Sequence, residues 1–355
     1  MKSKKVYLFS LAFLLLLLAV PAKAEAAAVA KIGSKSYSSI SQAVSAVKSG
    51  QTIKIAKNAK WQIQAYKSPK ITNKKVIMDL GGHTVTLYPA STVTGVLYLD
   101  KSSLTIKNGT LKEGGKRPFI FRAENNSQIN LVGLRINIAT DQFVAYGKGS
   151  GFTAKKVTLT CKESPYTPFQ LNAGTTAVFS SGTYKCFGQL ISSYGGTVTI
   201  KGGSYTYPQC NYSTSLISNG SSTDSNGKKV PGKLILSGGT LKSDATHCII
   251  VYNQIGGSLK ISGKTKIEGF YPIMSQGQFA MSGGTVHAVP YDTGNTRPAV
   301  DSSSAPKGST VTLSGGTLIS DGNAAIIIGK NVKYKNTKAT LKPGKGYNKV
   351  IRTAY

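Results

Sequence analysis

Carboxylates are what this chain spends most sparingly. Its 355 residues hold 13 Asp and Glu against 44 Lys and Arg. Hydrolysis of a glycosidic bond takes two carboxyl groups flanking the bond. Calcium takes six to eight oxygens, several of them from carboxylates. Here the acids stand singly, with no adjacent pair and no pair two residues apart. Acids distant in sequence meet only if the chain stacks on itself at a long period. On that condition Asp79 with Asp100, and Glu113 with Asp141, are the candidate pairs. No metal or cofactor is expected from the residues alone.

The other reactive residues are few. His83 follows Gly81-Gly82 and reads as a turn residue. His287 stands without a reactive neighbour in sequence. His247 beside Cys248 has the makings of a Cys–His nucleophile, but lacks a third orienting group, so a structural placement is expected. The cysteines are Cys161, Cys186, Cys210 and Cys248. No Cys-x-x-Cys pair suggests a metal. Four cysteines allow three pairings. The preferred one is Cys161–Cys186, with buried free thiols as the alternative. Tyrosines cluster between 166 and 212. Tyr184, Tyr194, Tyr205 and Tyr207, with Lys201, are the candidate binding residues, because rings on a flat strand face stack on sugars while a lysine holds an acidic group. The competing reading packs these rings around the cysteines. No phosphate-cradling glycine motif leads from a strand into a helix.

The elements that must position these residues follow from a recurring phrase. Val198-Thr-Ile200-Lys-Gly-Gly203-Ser-Tyr205, Leu234-Ile-Leu236-Ser-Gly-Gly239-Thr-Leu241, Phe279-Ala-Met281-Ser-Gly-Gly284-Thr-Val286 and Val311-Thr-Leu313-Ser-Gly-Gly316-Thr-Leu318 are close copies. Weaker copies end at Leu111, Leu134 and Tyr184, and Lys156-Val157-Thr-Leu159-Thr fills a double-length gap as a degenerate copy. Alternation of apolar and polar residues gives strands with one buried side. Glycine at the joint allows a sharp bend through positive φ. A period near 21 to 25 residues fits one circuit of a coil built from three short strands. Ser221 to Pro231 interrupts without breaking phase, so it reads as an inserted loop.

Ahead of the repeats, residues 28–37 read as a short hairpin. Ser39 to Lys48 reads as an amphipathic helix, with Ile40, Ala43, Val44 and Val47 on one face, a Ser39/Gln42 cap and Gly50 as the stop. Such a helix would cover the open end of a solenoid. Lys2, Lys4 and Lys5, the apolar run Val6 to Val20 and Ala22-Lys-Ala24 have the form of a secretory signal peptide cleaved after Ala24. The expected organisation is therefore a signal peptide (1–24) and one domain (25–355). That domain divides into an N-terminal cap (28–50), coils over about 51–330, and C-terminal strands over 331–355. The fold class is all-β, a right-handed single-stranded parallel β-helix with a short N-terminal capping helix.

The Gly-Gly-Thr codas, and the opening Ile32-Gly, Tyr37, Ile40, Ala43-Val44, Gly50-Gln-Thr-Ile53, resemble the pectin-lyase-like superfamily. The closest style is the adhesin-like secreted or surface β-helix proteins of Gram-positive bacteria. The resemblance spans nearly the whole mature chain. It implies the fold and leaves activity open, because this fold carries lyases, hydrolases, esterases and non-catalytic binders. A lyase of this kind would bring Ca2+ held by clustered carboxylates and an Arg or Lys base.

Charge carries the functional expectation. Formal net charge is +31, and loss of residues 1–24 removes four lysines and no acids, leaving +27. Only five basic residues are Arg. Lysine gives general attraction, whereas Arg gives bidentate recognition. The expected protein is secreted or held in the cell wall, non-catalytic, and binds an acidic glycan or anionic wall polymer. It has no specific nucleic-acid partner and no membrane anchor after cleavage. The alternatives are a divergent polysaccharide lyase acting on a uronate polymer, and a structural stalk.

Overall fold

In the computed structural model each copy of the phrase becomes one turn of a parallel β-solenoid of about 11 turns. The structure describes residues 28–63, 68–89, 95–115, 117–162, 166–208, 215–245, 248–290 and 297–353. The expected signal peptide lies outside them, as do Cys210 and His247.

Three strand columns run along the coil, here called the first, second and third faces. The first runs from Lys75–Asp79 to Lys333–Asn336, and the second from Ala59–Ile63 to Thr340–Lys342. The third is a twelve-stranded parallel sheet from Lys70–Thr72 to Val350–Thr353. The first and second faces form one sheet because several strands cross the bend unbroken, as Gln128–Ile138 and Thr310–Ser320 do. The glycine pair makes that bend possible. Gly239 has φ +87°, and a Cβ on Gly238 would stand 2.4 Å from the Lys201 carbonyl of the turn below. The second glycine supplies the backbone angle and the first admits the neighbouring turn.

The capping elements form as their sequence dictates. Ala30–Ile32 and Lys35–Tyr37 pair antiparallel. The helix α1, Ile40–Ala46, is shorter than the 39–48 expected; Ser39 caps it by accepting from the Gln42 N–H. Ile40, Ala43, Val44 and Val47 are buried against the first turn. Burial of each of the Ile and Val side chains contributes about 1.5–3 kcal/mol. The insertion is an excursion: Ser222–Thr223 pairs antiparallel with Lys229–Val230, and the ladder resumes with Val198 opposite Leu234.

Two kinds of interior follow one another along the axis. From Trp61 through Phe119, Phe121, Phe143, Phe169, Phe179 and Tyr184 to Tyr205, successive ring centroids lie 4.7 to 5.7 Å apart. Each such pair contributes about 0.5–1.5 kcal/mol beyond its burial. One inward column of the third face then changes chemistry. It runs Ile71, Leu99, Ala123, Ala145 and Leu171, and continues as Ser193, Asn219, Asn253 and Ser275. From Asn219 to Ser275 these polar groups bond from turn to turn. Asn219 Nδ2 donates to Asn253 Oδ1 at 3.0 Å, and Asn253 Nδ2 donates to Ser275 Oγ at 3.0 Å and to the Gln278 carbonyl at 2.9 Å. Removing a member strands its neighbours in a dry interior. We expect Asn253→Ala to lower stability by about 2–4 kcal/mol in chemical denaturation; an unchanged midpoint would show that the column does not hold these turns.

Candidate functional site

The second face keeps its register through eleven rungs. Its outward positions form two columns. In the first, Thr84, Thr110, Arg135, Thr158, Thr183, Ser204, Thr240, Lys266, Thr285, Thr317 and Thr340 lie in register. Nine of these eleven rungs are therefore Thr or Ser, spaced by about the 4.8 Å between neighbouring strands. The second column contains Lys60, Lys112, Lys185, Lys242 and Lys342, all exposed. Thr86 separates Lys60 from Lys112, and Asn137 and Thr160 separate Lys112 from Lys185. Like charges on adjacent rungs repel, so the hydroxyls and amide between the lysines permit a long cationic row.

The acids are spent internally. Asp100 accepts from Asn125 Nδ2 at 2.9 Å and pairs with Lys70 at 3.0 Å; those two partners hold its carboxyl below its usual range. Burial pushes the Asp79 carboxyl up, but the Gly81 N–H, Lys107 and Asn108 together pull it lower still. Glu113 accepts from Thr140 N and Oγ1, both at 2.8 Å, and from Ala139 N. Glu124 pairs with Arg122, and Asp301 accepts from Tyr271 Oη at 2.9 Å. Asp224 closes a surface turn by accepting from Lys228 N at 2.9 Å.

Acids and bases do converge toward the C-terminal end of the second face. Lys242, Glu268 and His287 are consecutive rungs of one column. Lys242 Nζ lies 3.4 Å from Asp244 and 3.7 Å from Glu268, and His287 Nε2 lies 2.8 Å from Asp321 Oδ1. A cavity of about 190 Å³ beside them is lined by Lys242, Asp244, Glu268 and Phe270, among others. Sequence reasoning missed this group. The available signal was position: Lys242, Glu268 and His287 each lie two places after the Thr or Lys of the neighbouring outward column.

The predicted binding residues do not form one site. Tyr184, Tyr205 and Tyr207 are fully buried, which corrects their assignment to a binding surface. Tyr184 and Tyr205 stack inside the coil at 4.7 Å and 4°. The reason was legible: Ser204-Tyr205 occupies the same slots as Thr240-Leu241, and the second slot points inward. Burial pushes the Tyr184 and Tyr205 hydroxyls up above the usual range for tyrosine. Tyr194 is exposed on the third face, and Lys201 is exposed at the bend after Ile200.

The cysteines also need correction. Cys161 and Cys186 are register partners, yet both are buried free thiols rather than a disulfide. In-register parallel rungs keep Cβ atoms near the 4.8 Å rung spacing, beyond the roughly 3.5–4.5 Å a disulfide takes. Cys161 Sγ donates instead to the Lys162 carbonyl at 3.2 Å, and the neighbouring Cys186 together with burial pushes the Cys161 thiol far up. Cys248 is disulfide-bonded, with its partner outside the described residues. A role for Cys248 as a free nucleophile is thereby removed.

Of the carboxylate pairs, Glu113 and Asp141 do come close. Asp141 is 2% exposed; its Oδ1 accepts from Phe119 N at 2.8 Å, and its Oδ2 is buried without a partner. Burial first, then the neighbouring Glu113, raises the carboxyl to about 8 against one opposing hydrogen bond. A neutral acid of this kind is a poor calcium ligand. Among the described residues, no group of three or more His, Cys, Asp or Glu is placed to hold a metal, and no helix is long and apolar enough to cross a membrane.

Comparison of the chain with protein-family models, with curated proteins and with solved structures finds no match.

The Asp141 environment has a testable sign. Between the ordinary carboxyl value near 4 and about 8, the folded chain holds a proton that the unfolded chain has lost. Stability from this group is therefore complete below pH 4 and falls as pH rises toward 8. Thermal unfolding at pH 5 and pH 8.5 should show a loss of up to about 4 kcal/mol in the native chain, at about 1.4 per pH unit. Asp141→Asn, which keeps an acceptor for Phe119 N–H, should flatten that loss; equal pH dependence in both chains would contradict the assignment.

Proposed function

We propose that the chain is an exported β-helix protein of the pectin-lyase-like, adhesin-like kind. It is non-catalytic, is held at the cell surface or in the extracellular matrix, and binds an acidic polysaccharide or anionic wall polymer through its lysine-rich faces. The observation that carries this reading is the second face. There, exposed lysines recur beside an in-register hydroxyl column while most described acids are occupied by nearby N–H, O–H and ammonium groups. A polyanion lying along the axis meets lysines at intervals of two or three rungs from Lys60 to Lys242, with hydroxyls and an amide between them, and after four rungs at Lys342. Attraction of this kind is distributed, so it is salt-sensitive.

The test is retention on immobilised polygalacturonate across a salt series. Replacing Lys60, Lys112, Lys185 and Lys342 together by Gln should weaken binding at least tenfold at 0.1 M salt and flatten its salt dependence. Retention that persists at 1 M salt in both proteins would overturn the electrostatic reading.

One observation favours a second reading, a divergent polysaccharide lyase. The Lys242, Glu268, His287 and Asp321 group offers candidate bases and acids on neighbouring turns. Cleavage by elimination leaves an unsaturated uronide that absorbs in the ultraviolet. No rise in absorbance on a panel of acidic polysaccharides, with and without calcium, would remove the lyase.

A further inference from the structure

The third face presents different chemistry from the other two. Arg122 stands there at an outward position, with Tyr98 its register partner on the preceding turn. Its guanidinium carbon lies 4.2 Å from the centre of the Tyr146 ring and 5.5 Å from that of Tyr98. Its Nε donates to Glu124 Oε1. The remaining hydrogens of the guanidinium, the Nη fork, engage no other described residue. That fork is the part of an arginine that takes a carboxylate through two parallel hydrogen bonds. The side chain is 34% exposed, and Tyr146 beside it is 36% exposed.

Three features make this more than a surface arginine. Contact with two rings and one carboxylate fixes the guanidinium plane, so little freedom is lost when a ligand binds. The neighbouring acid is already occupied, since Asp100 is held by Lys70 and Asn125. Finally, Lys70 and Arg122 balance Asp100 and Glu124, and Lys101, which also acts on Asp100, leaves a single net positive charge. A site of one net charge suits one planar monoanion better than a multiply charged phosphate. The ring of Tyr146 adds an apolar platform of the kind that stacks on a sugar.

We propose that this is a carbohydrate subsite in which Arg122 takes the carboxylate of a uronic-acid residue while the sugar ring lies against Tyr146. It rests on the reading that the ligand is an acidic glycan, but places recognition on a different face from the lysine row. The lysines would gather the polymer by charge, and Arg122 would read the acid group of an individual residue.

The experiment is calorimetric titration of the full chain with a galacturonic acid trimer at 0.15 M NaCl. A neutral galactose trimer and tripolyphosphate serve as the other arms. The native protein should bind the uronide at least tenfold more tightly than either. Arg122→Gln and Arg122→Lys should each weaken it at least tenfold, the second because charge without the fork is insufficient. Tyr146→Ala should do likewise, and it decides the matter if an Arg122 variant fails to fold. Lys228→Gln/Lys229→Gln, which removes two exposed charges from the inserted hairpin, should change the affinity less than threefold. The site is overturned if the trimer does not bind, if Arg122→Gln binds it normally, or if tripolyphosphate binds better through Arg122. Polymer retention by the lysine row is scored separately. Loss of trimer binding with lysine-dependent retention intact overturns this site alone, whereas loss of both overturns both readings.

Discussion

In-register stacking of parallel rungs is the constraint on which everything else in this molecule depends. Each residue sits about 4.8 Å above its counterpart in the turn below. One choice of residue is therefore repeated as a column, and a column is tolerated only if its members are compatible with themselves. Apolar and aromatic residues satisfy that condition inside, where Phe121, Phe143 and Phe169 stack at 5.0 and 5.4 Å. Asparagine satisfies it as well, because its amide both donates and accepts along the axis. Lysine does not, which is why the second-face lysines are separated from one another, by Thr and Asn from Lys60 to Lys242 and by Glu268, His287 and Ile319 before Lys342. Where two charged residues of that column do abut, they are Lys242 and Glu268, of opposite sign.

The same rule explains how the three faces come to differ. The first and second faces share a tight glycine bend, and that bend leaves little room for variation between them. Surfaces built this way are repetitive, and repetition suits a repetitive polymer. The third face is entered through longer connections, and its outward positions depart from the Thr and Lys pattern. Tyr98, Arg122 and Tyr146 meet there, as do Tyr271, Arg297 and Asp301, with Arg297 5.2 Å from the Tyr271 ring. Two of the five arginines thus stand with tyrosines on or beside a single face. A division of labour between general attraction and individual recognition would follow from this geometry without any carboxylate cluster.

Much of the architecture was legible in the chain, for a physical reason. Alternation at period two and glycine at a fixed joint are local requirements, and each copy of Leu234-Ile-Leu236-Ser-Gly-Gly239-Thr-Leu241 states them in full. The capping helix was legible too, because Ser39 and the spacing of Ile40, Ala43, Val44 and Val47 act within one or two turns of helix. The insertion at 221–231 could be recognised because phase survived it. Tyr184 and Tyr205 went astray for a different reason: residue type suggested a sugar platform, while their slot beside Thr183 and Ser204 had already fixed them inward.

By itself, then, the sequence determined the coil, its period, its cap and the sign of its surface, since these arise from neighbours within a single turn. Only the tertiary structure decided which residues become neighbours across turns. It set Cys161 against Cys186 at a spacing that leaves both as thiols, and sealed Asp141 beside Glu113, which raises its carboxyl well above the usual range. It also laid Arg122 between rings 24 residues before and after it in the chain. Those meetings depend on the length of every intervening turn, and no local pattern of side chains records that sum.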